Sequence, residues 1–275
     1  MKMQAPKQMH ISEINVYPIK SLRGNSVNEA RVCGYGLEHD RRWMLVDAGS
    51  RMITQRECPR LATLAPRLEN GHLRVQVRDG NVIDVSLNGS AWSDQQATVD
   101  VFGHQYVGVA ASDAINRAFS DAIQTTCCLL SIRSDVFRVT TAVAFHDSSP
   151  ILAISQASLD ELNKRLPTPL PMNRFRPNLV ITGANPFEED SWQRIAIGET
   201  DFRLIKQCER CAITTVDQAE GAFSGPEPLK TLAAFRRKGP NVAFGAYYRP
   251  EGAGAKIRVG EEVCVLAASA YGSGA

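Results

Sequence analysis

The stretch that decides our interpretation of this chain spans residues 208–217 and reads Cys-Glu-Arg-Cys-Ala-Ile-Thr-Thr-Val-Asp. It contains the one Cys-x-x-Cys pair of the sequence, formed by Cys208 and Cys211. The β-branched and apolar residues that follow predict a strand over Ala212 to Val216. A redox dithiol instead needs its motif at the N-terminus of a helix, where the helix dipole lowers the thiol pKa. The predicted strand therefore argues against a redox pair.

The same motif lacks the partners of a structural zinc site. Such a site needs about four ligands, normally two cysteine pairs or one pair with histidines, and the sequence has no second pair. Lys206 and Arg210 would lower the pKa of a neighbouring thiol and favour the thiolate, which suits a soft or high-valent metal. One thiolate bound to a large group is the interpretation that is left, with a purely structural cysteine as the alternative.

Length and composition indicate a soluble globular protein. The 275 residues, 44% hydrophobic and 22% charged, suffice for a sizeable core in one large or two modest domains. A net charge of +2 gives no global signal for a nucleic-acid partner. Seven cysteines, an odd number, without a secretion signal argue against a disulfide framework. No apolar run reaches the roughly 18 residues of a membrane span, so we expect a cytoplasmic protein that binds neither nucleic acid nor a membrane.

Short alternating segments predict many strands and few helices. Asn70-Gly71, Asp79-Gly80 and Asn88-Gly89 are hairpin signals, and many short strands at this spacing favour a barrel or compact sheet. The predicted strands span residues 10–17, 42–46, 73–77, 82–87, 98–102, 105–109, 151–154, 179–182, 194–197, 200–205, 212–216, 242–247, 257–259 and 263–266. The predicted helices span residues 113–123, with Ser112 as cap, 155–166 and 228–236. The fold class is therefore mainly β with short helices, an α+β chain.

Two strand ends in the first half carry cations that could hold an anion. Residues 17–21, Tyr-Pro-Ile-Lys-Ser, place Lys20 and the Ser21 hydroxyl on a tight turn, which is the setting that a phosphate needs. A surface turn with a solvated lysine is the alternative. Residues 40–43, Asp-Arg-Arg-Trp, open another strand, and alternation sends Arg41 and Arg42 to opposite faces. At most one of these two arginines therefore faces a core or a site.

Two polar segments lie beside predicted strands of the second half. Asp147, in the loop Phe-His-Asp-Ser-Ser-Pro at 145–150, could act as an acid or base, or bond backbone amides in an Asx-turn. Residues 173–178 read Asn-Arg-Phe-Arg-Pro-Asn, and in an extended chain Arg174 and Arg176 would share one face and grip an anion. An RNA-binding module built on these arginines is a rival, which the small net charge weakens.

Taken together, six motifs resemble the MOSC family, named for the C-terminal domain of molybdenum cofactor sulfurase. Within it they are most similar to the branch, with mitochondrial and bacterial members, that reduces N-hydroxylated compounds. The motifs are Tyr-Pro-Ile-Lys-Ser at 17–21, Gly-Leu-Glu-His-Asp-Arg-Arg-Trp at 36–43, Asp-Ser-Ser-Pro-Ile-Leu at 147–152, Asn-Arg-Phe-Arg-Pro-Asn at 173–178, Glu-Asp-Ser-Trp at 189–192 and the stretch at 208–217. The resemblance covers residues 10 to 266, nearly the whole chain.

This resemblance implies a β-barrel-like N-terminal domain over residues 10–135, packed on a MOSC β-barrel domain over 136–267, and a flexible tail at 268–275. It also implies a molybdenum cofactor, Mo-molybdopterin, with Cys211 as the metal ligand and Asp147 at an acidic position beside the metal. The family's contacts to the cofactor phosphate and pterin fall on Lys20, Ser21, Arg41 and Arg176. The other expected cofactor contacts, in matching motifs, are Ser148, Ser149, Asn178 and Arg210.

The implied activity is a two-electron reduction. An N-hydroxylated substrate gives its oxygen to reduced molybdenum, Mo(IV), and protons and electrons then release water, with Asp147 as the candidate to relay a proton or position the substrate. No cysteine cluster follows Cys264, so we expect electrons from a separate protein of the ferredoxin, flavodoxin or reductase type. Otherwise, this member of the family does not carry out the full reaction. The alternative is a sulfur carrier for metal–sulfur cluster or cofactor assembly, with a persulfide on Cys211 or Cys208.

Overall fold

The computed structural model describes residues 8–132, 144–146 and 149–269. Within these ranges, short strands make up most of the regular structure, so the predicted mainly β fold class is confirmed. The strands of the first half are β1 (His10–Val16), β2 (Asn25–Val27), β3 (Glu29–Cys33), β4 (Gly36–Leu37), β5 (Trp43–Val46), β6 (Ala65–Glu69), β7 (His72–Gln76), β8 (Val82–Ser86), β9 (Trp92–Val101), β10 (His104–Ala111) and β11 (Cys128–Ser131).

The second half continues with shorter strands between helical turns. Its strands are β12 (Ile151–Ser155), β13 (Leu179–Thr182), β14 (Trp192–Ile197), β15 (Thr200–Glu209), β16 (Val216–Asp217), β17 (Ala222–Phe223), β18 (Arg237–Lys238), β19 (Asn241–Pro250), β20 (Lys256–Arg258) and β21 (Val263–Ala268). The α-helices are α1 (Asp113–Ile123), α2 (Gln156–Asn163) and α3 (Leu229–Phe235). Short 3₁₀ helices span Pro59–Thr63, Gly89–Ala91, Met172–Arg174, Glu188–Asp190 and Ala212–Thr215.

The largest sheet joins strands from both halves of the chain. Its nine described strands run in the order β2-β1-β13-β12-β19-β15-β14-β21, with β18 beside β19. β1 pairs antiparallel with β13, and this pairing aligns Ile14 with Leu179. The first strand of the chain thus completes a sheet that is made mostly of strands from the second half.

The centre of this sheet is apolar on both faces. All five residues of β12 are buried, and β12 pairs in parallel with β13, to which it is connected through α2. Ile151 and Ala153 pack into one core, and Leu152 and Ile154 into another, because alternate side chains of a strand point to opposite faces. The continuous apolar run of β12 therefore reflects burial on both sides.

The first half has its own core, formed between α1 and two smaller sheets. These sheets run β5-β11-β10-β9 and β6-β7-β8, and Phe119 and Ile123 of α1 are buried against them. The bounds of α1 agree with the prediction from its apolar period. Ser112 occupies the N-cap position of α1 without a capping hydrogen bond from its side chain, whereas the Ser155 hydroxyl caps α2 by accepting from the Ser158 amide at 3.1 Å.

The predicted strand over residues 212–216 is wrong. Cys211 instead occupies the N-cap position of the 3₁₀ helix Ala212–Thr215. Thr214 Oγ1 donates to the Cys211 carbonyl at 3.0 Å, and Thr215 Oγ1 donates to the Ala212 carbonyl at 2.8 Å. These hydroxyl-to-carbonyl bonds across three residues stabilise the turn against the β preference of threonine. The strand context that argued against a redox pair is therefore absent.

The predicted domain division between residues 135 and 136 lies outside the described residues, as does the predicted tail from residue 270 onward. Strand pairing crosses between the predicted domains twice, since β1 pairs with β13 and β3 pairs with β20. The division itself stays a prediction. In the described part of the chain, no helix combines the length and apolar character required to cross a membrane.

Candidate functional site

A cavity of about 280 Å³, lined by residues from both halves of the chain, collects the predicted site residues. Its volume is close to the lower end of the roughly 300–1,000 Å³ found for small-molecule sites. The predicted residues that line it are Lys20, Ser21, Arg41, Ser149, Arg176, Asn178, Arg210 and Cys211. Asp147 and Ser148 lie outside the described residues, although their sequence neighbours His146 and Ser149 line the cavity.

Cys211 presents an exposed thiol at this cavity. Its backbone is extended, with φ −119°, and its carbonyl accepts hydrogen bonds from the Thr214 amide at 3.1 Å and the Thr214 hydroxyl at 3.0 Å. These bonds fix the backbone while, among the described residues, the sulfur has no hydrogen-bond partner. The thiol is therefore held in place and accessible to a ligand.

Cys208 has a different environment, although it belongs to the same motif. It is 1% exposed and packs in a core with Phe175 and Phe244. Arg210 donates from Nη1 to the Cys208 sulfur at 2.8 Å and from Nη2 to the Phe175 carbonyl at 2.7 Å. Burial lowers the pKa of Arg210, but Cys208, Tyr247 and Cys211 together raise it above its ordinary value, so the guanidinium stays charged. Both terminal nitrogens of Arg210, a predicted ligand contact, are engaged with the protein.

The backbone of the Lys20-Ser21 turn is fixed by the buried side-chain amides of Gln55 and Gln218. Lys20 is 3% exposed, and its Nζ donates to the Phe145 carbonyl at 3.0 Å. The Ser21 carbonyl accepts from Gln55 Nε2 at 2.7 Å, and Gln55 Oε1 in turn accepts from Gln218 Nε2 at 2.8 Å. This chain of hydrogen bonds connects the turn to a residue of the second half and fixes its position at the cavity.

Arg41 and Arg176 both contact the ring of Tyr17. Their Cζ atoms lie 4.3 Å and 4.4 Å from the ring centroid, within the range of cation–π contacts. Both arginines have left-handed backbone conformations, with φ of +49° and +55°. Non-glycine residues pay about 1–3 kcal/mol for such a conformation and gather at functional sites. Of the nine in the described chain, four line this cavity, namely Ser21, Arg41, Phe102 and Arg176.

Asp40 and Asn178 support Arg41. Arg41 Nη1 pairs with the Asp40 carboxylate and donates to Asn178 Oδ1 at 3.2 Å. Asn178 Oδ1 also accepts from the Leu152 amide at 3.2 Å, while its Nδ2 donates to the Asn15 carbonyl at 3.0 Å. The predicted ligand contact Asn178 therefore uses its side-chain amide within the protein, where it joins β1 to β12 and positions Arg41.

His146 is more than the loop histidine that the sequence indicates. Its Nε2 lies 2.7 Å from the Tyr35 carbonyl, and its Nδ1 lies 3.8 Å from Asp40 Oδ2. A carbonyl oxygen only accepts, so Nε2 carries the proton. Burial lowers the pKa of His146 to about 4, against the opposing effect of Asp40. The imidazole is therefore neutral at pH 7.

The predicted pairing of Arg174 and Arg176 on one face is wrong. Arg174 ends the 3₁₀ helix Met172–Arg174 and is 3% exposed. It donates from Nη2 to Asp217 Oδ2 at 3.0 Å and from Nη1 to the Ser224 hydroxyl at 2.8 Å. Because the chain is helical and then left-handed here, residues two apart do not share a face. Only Arg176 of the two lines the cavity, which removes the basis for an RNA-binding module built on both.

Other residues also line the cavity, among them Arg56 and Phe102, which the sequence did not single out, and Lys206, which it indicated only as a basic neighbour of the cysteine motif. Phe102 is 50% exposed, with φ +53°, in the turn between β9 and β10. Lys20 Nζ and Arg56 Cζ lie 5.7 Å and 5.6 Å from its ring centroid. A phenylalanine in a hairpin turn, where Asn, Asp or Gly is usual, is the signal that could have identified it.

The charged residues around the cavity are mostly cations. Its described lining includes the cations Lys20, Arg41, Arg56, Arg176, Lys206 and Arg210. Glu209 is the one acidic residue in that described lining. Several fixed cations around a small volume favour an anionic ligand, above all a phosphate.

The described residues contain no group of three or more His, Cys, Asp or Glu side chains that could hold a metal ion. A single accessible thiol in a cation-lined cavity fits a metal that is carried by an anionic organic cofactor.

Comparisons with known proteins identify relatives of this chain. The family model described as MOSC domain matches residues 140–264, and the one described as MOSC N-terminal beta barrel domain matches residues 8–126. Mitochondrial amidoxime reducing component 2 of Rattus norvegicus is 34% identical over 92% of this chain and 82% of its own length. Molybdenum cofactor sulfurase of Oryza sativa subsp. japonica is 33% identical over 94% of this chain. This chain spans only 36% of the length of that rice protein.

Among solved structures, the YuaD protein from Bacillus subtilis has a TM-score of 0.42 and 11% identity, over 93% of this chain and 94% of that one. The sequence relatives are far more similar. Two family models that together match most of the chain, and the rat relative of which it covers 82%, show that this chain, with a β-barrel N-terminal domain followed by a MOSC domain, belongs to the MOSC family.

Proposed function

We propose that this chain binds a molybdenum cofactor in the cavity and reduces N-oxygenated compounds such as amidoximes. The observation that carries the proposal is the accessible thiol of Cys211 in a small cavity lined by six cations. The name of the rat relative, an amidoxime reducing component, supports the choice of substrate class.

Each group of cavity residues has a part in holding the cofactor. The Cys211 thiolate is the protein's ligand to the metal. Lys20, Ser21, Arg41 and Arg176 bind the anionic phosphate and the pterin, and the left-handed backbones of the last three prearrange them. Arg210, Ser149 and Asn178 complete the lining, with Asn178 acting through Arg41. When bound, the cofactor supplies the two-electron redox chemistry that protein side chains lack.

The overall reaction balances as a two-electron, two-proton reduction. The N–O bond of the N-hydroxylated substrate breaks, an N–H bond replaces it in the product, and the oxygen leaves as water. We assign proton delivery to Asp147, since oxygen removal consumes protons. The neighbouring His146 is neutral at pH 7 and its Nε2 proton is engaged with the Tyr35 carbonyl. Electrons come from a separate redox protein of the ferredoxin, flavodoxin or reductase type.

The test uses the full chain purified from cells that make the molybdenum cofactor. We expect about one molybdenum per chain and reduction of benzamidoxime with an artificial electron donor. Cys211→Ala should lose both the metal and the activity, while Cys208→Ala should keep the metal. Wild-type protein that carries molybdenum but leaves benzamidoxime unchanged would contradict the proposed substrate class.

One observation favours a second candidate, a sulfur carrier for cofactor or cluster assembly. The rice relative named molybdenum cofactor sulfurase aligns with 94% of this chain, and the accessible Cys211 thiol could carry a persulfide. Purified protein that lacks metal but releases thiocyanate on treatment with cyanide would support this candidate. Under the first proposal, we expect molybdenum and no cyanide-labile sulfur bound to cysteine.

A further inference from the structure

The ring of Tyr17 is contacted by both Arg41 and Arg176, and hydrogen bonds at three of its atoms fix the position of Tyr17. Its amide nitrogen donates to Asp40 Oδ1 at 2.7 Å, and its carbonyl accepts from the Arg41 amide at 2.8 Å. Its hydroxyl donates to the carbonyl of Pro177, the residue after Arg176, at 3.0 Å. Each arginine is thus tied to Tyr17 both through its guanidinium and through the backbone beside it.

The ring of Tyr17 cannot move away from these contacts without cost. Tyr17 is 4% exposed, and Gly24 packs so closely that an added Cβ would lie 2.4 Å from Tyr17 Cε1. Burial raises the pKa of Tyr17 to about 12, against the lowering effect of Arg176 and Arg41. The hydroxyl therefore stays protonated over the physiological range and keeps its hydrogen bond to Pro177.

Two guanidinium groups that contact one ring repel each other, so an attractive contact is needed to keep both in place. An aromatic ring attracts both through its negative face, and the Asp40 carboxylate compensates part of the charge of Arg41. A ring contacted by both groups also fixes the distance between them, which is what a ligand with two or more anionic oxygens requires.

We propose that Tyr17 is a positioning residue that holds Arg41 and Arg176 as one anion-binding pair for the phosphate of the ligand in the cavity. This inference rests on the proposed function for the identity of that ligand. The inference gives Tyr17 a role: its ring contacts both arginines, and Tyr17 acts through them without touching the ligand itself.

Substitutions distinguish the contribution of the Tyr17 ring from that of its hydroxyl and from general effects on the fold. Tyr17→Phe keeps the ring and loses the bond to Pro177, whereas Tyr17→Leu loses the ring. Gly24→Ala keeps Tyr17 but displaces its ring, and Gly34→Ala is the matched control, since an added Cβ there meets nothing within 4 Å. Arg176→Met, alone and combined with Tyr17→Leu, shows whether Tyr17 acts through the arginine.

The first readout is the affinity of cofactor-free full chain for inorganic pyrophosphate, by calorimetry at fixed salt. We expect Tyr17→Phe and Gly34→Ala to stay within about twofold of wild type, and Tyr17→Leu and Gly24→Ala to lose about tenfold or more. The double variant, Tyr17→Leu with Arg176→Met, should bind pyrophosphate no more weakly than Arg176→Met alone. The second readout is the amount of pterin per chain after purification from cofactor-producing cells, which should follow the same order.

The outcomes distinguish this inference from the proposed function. If wild type binds pyrophosphate in a Tyr17-dependent way but is purified without pterin or molybdenum, the proposed cofactor is wrong and the positioning role stands. If Tyr17→Leu binds pyrophosphate as wild type does, or if its loss simply adds to that of Arg176→Met, the positioning role is overturned. Wild-type protein with no affinity for pyrophosphate would also overturn it, because the arginine pair would then not be an anion site.

Discussion

The guanidinium of Arg210 donates a hydrogen bond to the sulfur of Cys208 at 2.8 Å. This contact makes the two cysteines of the motif unequal. Cys208 is anchored in a core next to Phe175, whereas Cys211, one residue beyond Arg210, is exposed at the cavity. One sulfur of the pair therefore supports the fold, and the other is available for chemistry.

Alanine substitutions of the two cysteines should have opposite consequences. Cys208→Ala removes a buried side chain and the acceptor of Arg210 Nη1, so we expect a loss of about 1–3 kcal/mol in the free energy of unfolding. Cys211→Ala should change it by less than about 0.5 kcal/mol, because the side chain is exposed. Urea denaturation and metal analysis of both variants check this. Equal losses of molybdenum in the two variants would contradict the assigned division of roles.

The two arginines of residues 173–178 form a second matched pair. Arg174→Met breaks a buried ion pair with Asp217, and we expect a loss of roughly 2–3 kcal/mol, below the value for a fully buried pair because Asp217 is 35% exposed in its side chain. Arg176→Met should cost less than about 1 kcal/mol in stability but remove most of the bound pterin. The reverse pattern in thermal melts and pterin fluorescence would place the ligand at Arg174.

The buried imidazole of His146 predicts a pH dependence of stability. Its folded pKa of about 4 lies below the ordinary value of 6.5, so between these values the unfolded chain binds a proton that the folded protein does not. Stability is therefore full above pH 6.5 and falls as the pH is lowered towards 4, by about 3 kcal/mol at most from this group.

His146→Gln, whose amide can still donate to the Tyr35 carbonyl, is the control for this prediction. The difference in unfolding free energy between wild type and variant, measured from pH 7 to pH 4, isolates the histidine from all other titrating groups. We expect wild type to lose stability relative to the variant over that range. Parallel curves would show that His146 is protonated in the folded protein.

Asn178 should be essential for the fold and not only for the site. Asn178→Ala leaves the Leu152 amide and the Asn15 carbonyl without their side-chain partner, and we expect a loss of about 2–4 kcal/mol. Asn185→Ala is the control, since that amide donates to Glu188 at the exposed surface and should cost less than about 0.5 kcal/mol. Chemical denaturation of both variants checks the contrast, and equal midpoints would contradict it.

Local pattern was enough to predict most of the regular structure. The apolar period of α1 and the continuous apolar run of β12 each reflect contacts that repeat along one element, so the sequence carries the signal directly. Lys20 and Cys211, which the structure brings to one cavity, are predicted as site residues by the resemblance of six motifs to the MOSC family, since neither segment alone distinguishes a site from a structural role.

The failures have local physical causes as well. The residues after Cys211 have β propensity, but the hydroxyls of Thr214 and Thr215 bond to carbonyls three residues back and close a 3₁₀ turn. Arg174 and Arg176 diverge because the backbone between them is not extended. Arg56 reaches the cavity from a loop that is distant in sequence, and only tertiary packing shows that it does.

The pairing of β1 with β13 also constrains the order in which parts of the protein can fold during synthesis. β1 has β2 as an early neighbour, but its other neighbour, β13, becomes available only after Leu179 has left the ribosome. β19, which separates β12 from β15, emerges later still. The cavity has walls from the Lys20 turn and from Tyr247 in β19. It therefore forms only after translation has passed residue 250, and any cofactor must be loaded after that point.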